Sequence, residues 1–358
     1  MSETEVKRIA VIAGDGIGPE VIGEAVATLE LARDLFGLEI SMTHFDWGAE
    51  KYLATGVTMP EGGLEILASE YDAILTGAFG DPRVPDNKHA ADILLGLRFG
   101  LDLYINLRPI KLIEARLCPL RDRTEKDIDF VVFRENTEGM YCFVGGNFKK
   151  GTGDEIAIQE EINTRRGVER IITAAFEYAR LGNRKRVTMS DKSNVLTYGH
   201  DLWQRVFKEV ASRYPDIEAN HLYVDVLVMW MALDPARFDV IVTNNMFGDI
   251  VTDLGAALQG GLGMAASGNI HPGRVSLFEP VHGSAPPFAG KNVANPVAAI
   301  LTAAMMIDYV GFREAAAAME SAVEEAVRAG ETTKDIGGNL STTQAGAAIR
   351  KRLKEVVG

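Results

Sequence analysis

Two aspartates, Asp249 and Asp253, stand four residues apart in Phe247-Gly248-Asp249-Ile250-Val251-Thr252-Asp253. That spacing puts both carboxylates on one face of a helix, where alone they repel by roughly a few tenths of a kcal/mol. A divalent cation between them reverses the sign of that cost, and hard oxygen ligands of this kind suit Mg²⁺ or Mn²⁺. The plainer reading is that Asp249 favours a helix N-terminus and Asp253 faces water. The run before them, 239–243, is mostly apolar and β-branched and predicts a buried strand, with Asn244 and Asn245 at the edge between strand and helix. Strand ends of this kind are where α/β proteins hold ligands.

Other chemistry-bearing residues punctuate the chain. Arg98 lies on a helical pattern over 90–101, Arg108 follows a short strand at 104–107, and Arg134 ends a strand at 129–133. Guanidinium groups grip carboxylates bidentately, so three that converged would hold a dicarboxylate. Single arginines more often face water or an ion partner. Lys192, after Asp191 at the end of a strand over 186–190, is a candidate base if burial or nearby positive charge depresses its pKa. The bland alternative is a solvated surface charge. Tyr141 is a candidate proton donor, set against the commoner case of a tyrosine with its hydroxyl in water.

Two loops invite a nucleotide. Gly14-Asp15-Gly16-Ile17-Gly18 lets a ligand approach the backbone closely, or is a tight turn and no more. Pro19 occupies the last glycine position of GxGxxG, so the Rossmann fingerprint is absent. Glu279-Pro280-Val281-His282-Gly283-Ser284-Ala285-Pro286, continued by Pro287 to Asn295, is dense in Gly and Pro and predicts a long shaped loop. Its N–H groups could cradle phosphates, or it is an ordinary surface loop. Asn295 followed by Pro296 predicts an N-cap and a first-turn proline. Of the six histidines, only His282 sits in a motif.

These residues need a frame. Strands are expected at 8–13, 38–45, 72–76, 129–133, 186–190, 221–224 and 239–243, and helices at 20–36, 90–101, 167–180, 202–213, 296–307, 313–329 and 344–353. Their alternation predicts an α/β fold with a largely parallel sheet. The polar stretch 145–161 reads as an extended arm or a solvated loop. At 358 residues the chain has room for two domains. A net charge of −13 argues against nucleic acid. Cys118 and Cys142 make no disulfide framework and no zinc spacing. Residues 1–8 are polar, so no signal peptide is visible, and the most apolar stretch, 297–307, is too short to span a bilayer. The expectation is a cytoplasmic protein with no membrane partner.

Taken in order, Asn106-Leu107-Arg108-Pro109, Arg134-Glu135-Asn136-Thr137-Glu138-Gly139, Asp191-Lys192-Ser193-Asn194, Asn245-Met246-Phe247-Gly248-Asp249-Ile250 and the Glu279 to Pro286 loop resemble the metal-dependent β-decarboxylating dehydrogenases of 2-hydroxy acids, the isocitrate/isopropylmalate dehydrogenase family. The likeness runs nearly end to end. It implies a two-domain isopropylmalate dehydrogenase-like fold, with 1–103 plus 261–358 on the cofactor side. Residues 104–260 would form a substrate and dimerisation domain with an arm near 145–165.

The resemblance also implies roles. Arg98, Arg108 and Arg134 would grip the malate carboxylates of a small 2-hydroxy dicarboxylate. Asp249 and Asp253 would bind Mg²⁺ or Mn²⁺, with Asp225 supplied by the neighbouring subunit of a homodimer. Lys192, also from the neighbour, would take the hydroxyl proton, and Tyr141 would protonate the enolate after CO₂ is lost. Glu279, His282, Gly283, Ser284, Ala285 and Asn295 would hold NAD. Leu94 and Leu95 lie on the helix that, in this family, faces the substrate's variable group, which favours the isopropyl group of 3-isopropylmalate. The run 134–139 and the stretch 155–167 look more like the D-malate and tartrate branch. A catalytically silent regulatory subunit is a further alternative, against which stands the presence of Tyr141, Lys192 and all three aspartates. One departure bears on the cofactor: Pro287 stands where NAD-using relatives usually carry a ribose-binding Asp.

Overall fold

The computed structural model describes residues 6–357, so the ends of the expected cofactor-side domain, 1–5 and 358, lie outside the described residues. The chain divides into two compact units. One runs through Leu103, includes Leu112–Glu125 and resumes at Ala256; the other comprises Tyr104–Lys111 and Lys126–Gly255.

In the first unit the strands lie in the order Ile40–Phe45, Lys7–Ile12, Ala73–Thr76, Ser276–Pro280 and Ala266–Ile270. The first four are parallel, and Ala266–Ile270 runs antiparallel to Ser276–Pro280. Ile9 to Ile12 and Ala73 to Leu75 are buried, the continuous apolar run expected of strands covered on both faces. Helix Lys88–Gly100 sends Ile93 and Leu97 into a core cluster shared with Ile74 and Leu277, and Leu94 packs against the same cluster. Helix Val297–Tyr309 is buried nearly all round, as befits a central helix. It begins one residue later than the sequence suggests, and the Asn295 side-chain oxygen accepts the N–H of Val297 at 3.0 Å.

In the second unit the order is Ile105–Lys111, Asp129–Glu135, Val240–Thr243, Arg186–Asp191 and Glu218–Tyr223. The first pair is antiparallel and the rest are parallel. The register decides what meets at the strand ends. Thr243 lies between Arg134 and Ser190, and Asp191 lies beside Tyr223. Arg134, the residues after Thr243, Lys192 and the helix Val224–Leu233 bearing Asp225 therefore gather at one edge of this sheet.

Several expectations need correction. Arg108 lies inside a strand, because Ile105–Lys111 continues through Pro109, which sits opposite Val131. The largely parallel pairing is as expected, with antiparallel pairing of Ile105–Lys111 with Asp129–Glu135 and of Ala266–Ile270 with Ser276–Pro280. Glu279 and Pro280 belong to a strand, not a loop. The stretch 145–161 contains an antiparallel hairpin, Gly145–Phe148 with Ile156–Gln159, whose Phe148, Ile156 and Ile158 are exposed. Segment 112–125, assigned by sequence to the substrate domain, lies in the first unit. Leu112 and Ile113 are buried there, and Arg116 donates to the carbonyls of Ile336 at 2.6 Å and Val327 at 3.0 Å. Among the described residues no helix is long and apolar enough to cross a membrane.

Replacing Arg116 with alanine removes two hydrogen bonds from a charged donor. Urea denaturation is expected to show a loss of about 1–3 kcal/mol, with faster amide exchange across 112–125. Unchanged exchange there contradicts the anchoring.

Candidate active site

The helix Asn245–Leu258 starts where the strand Val240–Thr243 ends, and Asn244 caps it by accepting the N–H of Phe247 at 2.9 Å. Gly248 faces Arg134 so closely that a Cβ there would lie 2.5 Å from Arg134 Cγ. Only glycine lets the arginine lie flat against the first turn. Its side chain is 3 % exposed. Nε and Nη2 donate to Asn245 Oδ1 at 3.0 and 2.8 Å, and Nη1 donates to Asp249 Oδ1.

Asp249 collects further partners. Arg108 Nη2 lies 3.5 Å from Asp249 Oδ1, and Arg108 Nη1 donates to Thr252 Oγ1 at 2.5 Å. The Tyr141 hydroxyl donates to Asp249 Oδ2 at 3.2 Å, and the Arg134 guanidinium lies 5.5 Å from the Tyr141 ring centroid. Two guanidinium groups thus face one partly exposed carboxylate, leaving a local positive excess suited to a further anion. Thr252, three residues beyond Asp249, went unnoticed in the sequence; its signal was its position between the two acids on one helical face. Asp253 is exposed one turn on.

Lys192 and Asp225 make a pair of their own. Lys192 Nζ donates to Asp225 Oδ1 at 2.5 Å, and that hydrogen bond is the largest cause holding the Asp225 carboxyl below its ordinary value. Beside them Asp191 is buried, which pushes its pKa up. Hydrogen bonds from His221, the Ser193 N–H and Gln204 outweigh that and hold it below the usual carboxylate range.

The donor set fits a hard divalent cation in part. Asp249 and Asp253 supply oxygens at the i, i+4 spacing, but among the described residues no group of three His, Cys, Asp or Glu side chains is placed to hold a metal. Asp225 is engaged with Lys192 in the same chain.

The first unit holds a cavity of about 610 Å³ lined by Ile17, His282, Phe288, Val293, Asn295 and Asp335 among others. Its lining is mostly apolar, with few polar groups, as small-molecule sites are. His282 is buried and its Nε2 has no hydrogen-bond partner, while Nδ1 lies 3.1 Å from the Gly283 carbonyl oxygen. An orphaned ring nitrogen in such a cavity fits a heteroaromatic ligand such as adenine. Asn295 Nδ2 donates to Asp335 Oδ2 at 3.0 Å. Asp335 was not singled out in the sequence, and Ile17 only as part of the 14–18 turn.

In both loops backbone groups are met by other parts of the chain. The glycines at 14–18 admit neighbouring backbone: Ile17 donates its N–H to the Ser284 carbonyl at 2.8 Å, and a Cβ on Gly16, whose φ is +62°, would overlap that oxygen. The N–H groups of Gly290 and Asn292 are both accepted by Glu20, at 2.5 and 2.8 Å, so they do not cradle phosphate. Gly283, Ser284 and Ala285 follow His282 along the loop. Glu279 is elsewhere, accepting from Asn269 Nδ2 at 2.8 Å within its strand pair. Leu94, Leu95 and Arg98 lie on the helix Lys88–Gly100, all partly buried.

Residues 8–349 match the isocitrate/isopropylmalate dehydrogenase family. The 3-isopropylmalate dehydrogenase of Thermobifida fusca (strain YX) is 47% identical over 357 residues, 99% of each chain. That of Streptomyces coelicolor is 45% identical over 347 residues, 94% of this chain and 98% of the relative. Among solved structures, isocitrate dehydrogenase from Methylococcus capsulatus is similar with a TM-score of 0.88 at 36% identity, covering 97% of this chain and 99% of that one.

Burial pushes the His282 imidazole below its ordinary value, against the raising effect of the neighbouring carbonyl. A depressed folded-state value means the stabilisation is complete above the unfolded value of about 6.5 and is lost as pH falls through the folded-state value. Calorimetric melting should therefore show wild type losing Tm relative to His282→Gln as pH is lowered from about 7 to about 5. Parallel curves for the two proteins contradict a buried neutral imidazole.

Proposed function

The chain belongs to the isocitrate/isopropylmalate dehydrogenase family, and on that premise we propose that it oxidises and decarboxylates 3-isopropylmalate, in leucine biosynthesis. Membership supports NAD-dependent β-decarboxylating dehydrogenase activity on a malate-type acid. The proposal adds the isopropyl group, a divalent cation (Mg²⁺ or Mn²⁺) and a homodimer with shared sites.

The observation that carries this reading is the gathering of Arg108, Arg134 and Tyr141 on Asp249. Arginines fixed in this way pair bidentately with a substrate carboxylate. Asp249 and Asp253 would hold the cation, which would supply Lewis-acid polarisation of the carbonyl, and the loop around His282 would hold NAD, which would supply the hydride acceptor. Lys192 accepts the hydroxyl proton once its Nζ has given up a proton to solvent and released Asp225. Tyr141, already donating from its hydroxyl, returns a proton to carbon after CO₂ has left. Two features support the shared site: the metal carboxylates are incomplete in one chain, and Lys192 with Asp225 forms an exposed pair suited to projection into a second copy. The exposed apolar hairpin side chains support exchange of the arm. Support for the substrate comes from Leu94 and Leu95 and from the relatives named 3-isopropylmalate dehydrogenase.

NADH formation with Mg²⁺, tested separately on 3-isopropylmalate, D-malate, tartrate and isocitrate, is expected to be fastest with the first and to stop on addition of a chelator. Preference for D-malate or tartrate would move the protein to that branch, and silence with all four would favour a regulatory subunit. Leu95 is the cleaner probe of the pocket, since Leu94 also packs on the core. Leu95→Ala should lower kcat/KM for 3-isopropylmalate by roughly tenfold or more and leave D-malate turnover little changed. Equal losses on both acids remove the pocket argument.

A further inference from the structure

Three segments that carry this chemistry converge on one mostly buried carboxylate. Glu161 closes the segment that follows the hairpin, and its Oε1 faces His200 Nε2 at 3.2 Å and accepts from Asn244 Nδ2 at 2.9 Å. Asn244 is the cap of the helix bearing Asp249 and Asp253. His200, fully buried at the start of helix Gly199–Ala211, accepts the backbone N–H of Lys192 at its Nδ1, at 2.7 Å. A ring that accepts at Nδ1 and faces a carboxylate at Nε2 carries its proton on Nε2, so both nitrogens are in use and their partners set the tautomer.

The corner is built tightly. Asn163, two residues beyond Glu161, accepts the Trp203 indole N–H at 2.9 Å, and its amide fills the space beside Gly199, where a Cβ would lie 2.6 Å from Asn163 Nδ2. Burial alone raises the Glu161 pKa, but hydrogen bonds led by that of His200 hold it below the ordinary value. The carboxylate is therefore an anion that accepts hydrogen bonds from His200 and Asn244.

We infer that His200 is a positioning residue for the reaction, fixing the backbone at Lys192 and, through Glu161, tying it to the base of the hairpin and to the cap of the aspartate-bearing helix. The inference rests on the reading of Lys192 as proton acceptor. Lys192 follows directly on a strand end, and its N–H bond to the ring holds that end in place. A reacting group displaced by about 1 Å can cost about a hundredfold in rate.

Two substitutions separate the two ring contacts. His200→Asn keeps an acceptor where Nδ1 stood and loses the donor to Glu161. His200→Gln keeps a donor near Nε2 and loses the acceptor for Lys192. Each loses one hydrogen bond, so their melting temperatures should fall alike. The expected result is a kcat loss of about tenfold or more in His200→Gln against about threefold or less in His200→Asn, with KM for NAD unchanged in both. Amide exchange at Lys192 should quicken in the Gln variant only. Equal kcat losses that follow the melting temperature, or unchanged exchange in both variants, overturn the inference. Lys192→Met checks the underlying reading by itself: turnover that survives in that variant refutes the lysine's role, whatever the His200 variants do.

Discussion

The second unit is organised around a guanidinium laid against a glycine. Arg134 is nearly inaccessible, and a buried cation is tolerated only when its donors are satisfied. Asn245 and Asp249 satisfy them, and both belong to the helix whose Gly248 makes room for the arginine stem. The pairing of Thr243 with Arg134 sets the distance between strand end and helix start. Everything else at that edge depends on this fit. Asp249 is oriented by it, Tyr141 lies against the same guanidinium, and Arg108 reaches across to Thr252.

Charge explains the arrangement better than size does. Aspartates one turn apart repel, and Arg134 and Arg108 relieve that repulsion at Asp249 without cancelling it at Asp253. The edge therefore carries a positive excess beside the arginines and an exposed carboxylate one turn on.

How far the amino-acid order disclosed this can be judged residue by residue. The central strands were legible because runs such as Val240 to Thr243 are β-branched and buried. Ala266–Ile270 was not, because Ser267 and Asn269 break the apolar pattern; Ser267 donates to the Glu279 carbonyl and Asn269 to the Glu279 side chain across the strand pair. Arg108 lies within its strand rather than past its end because the antiparallel pairing with Asp129–Glu135 runs on through Pro109. The Asp249 and Asp253 spacing was visible locally, whereas the contact of Asp249 with Arg134 joins residues 115 positions apart and follows only from the strand register. His200 and Glu161 gave no signal, since His200 sits in no motif and the contact joins residues 39 positions apart.

The first unit is assembled from separated stretches of chain. Strand Ser276–Pro280 lies directly beside Ala73–Thr76, some two hundred residues away, and Arg116 closes on carbonyls of Val327 and Ile336. The second unit is nearly continuous from Lys126 to Gly255. During synthesis, then, the ribosome releases a middle region that can complete its own sheet while the opening hundred residues still lack their neighbours. Contacts this distant in sequence form slowly, and a nascent chain waiting for them exposes apolar strands to chaperones and to aggregation. Truncation in the stretch after Ala256 would for that reason harm the stretch before Leu103 most.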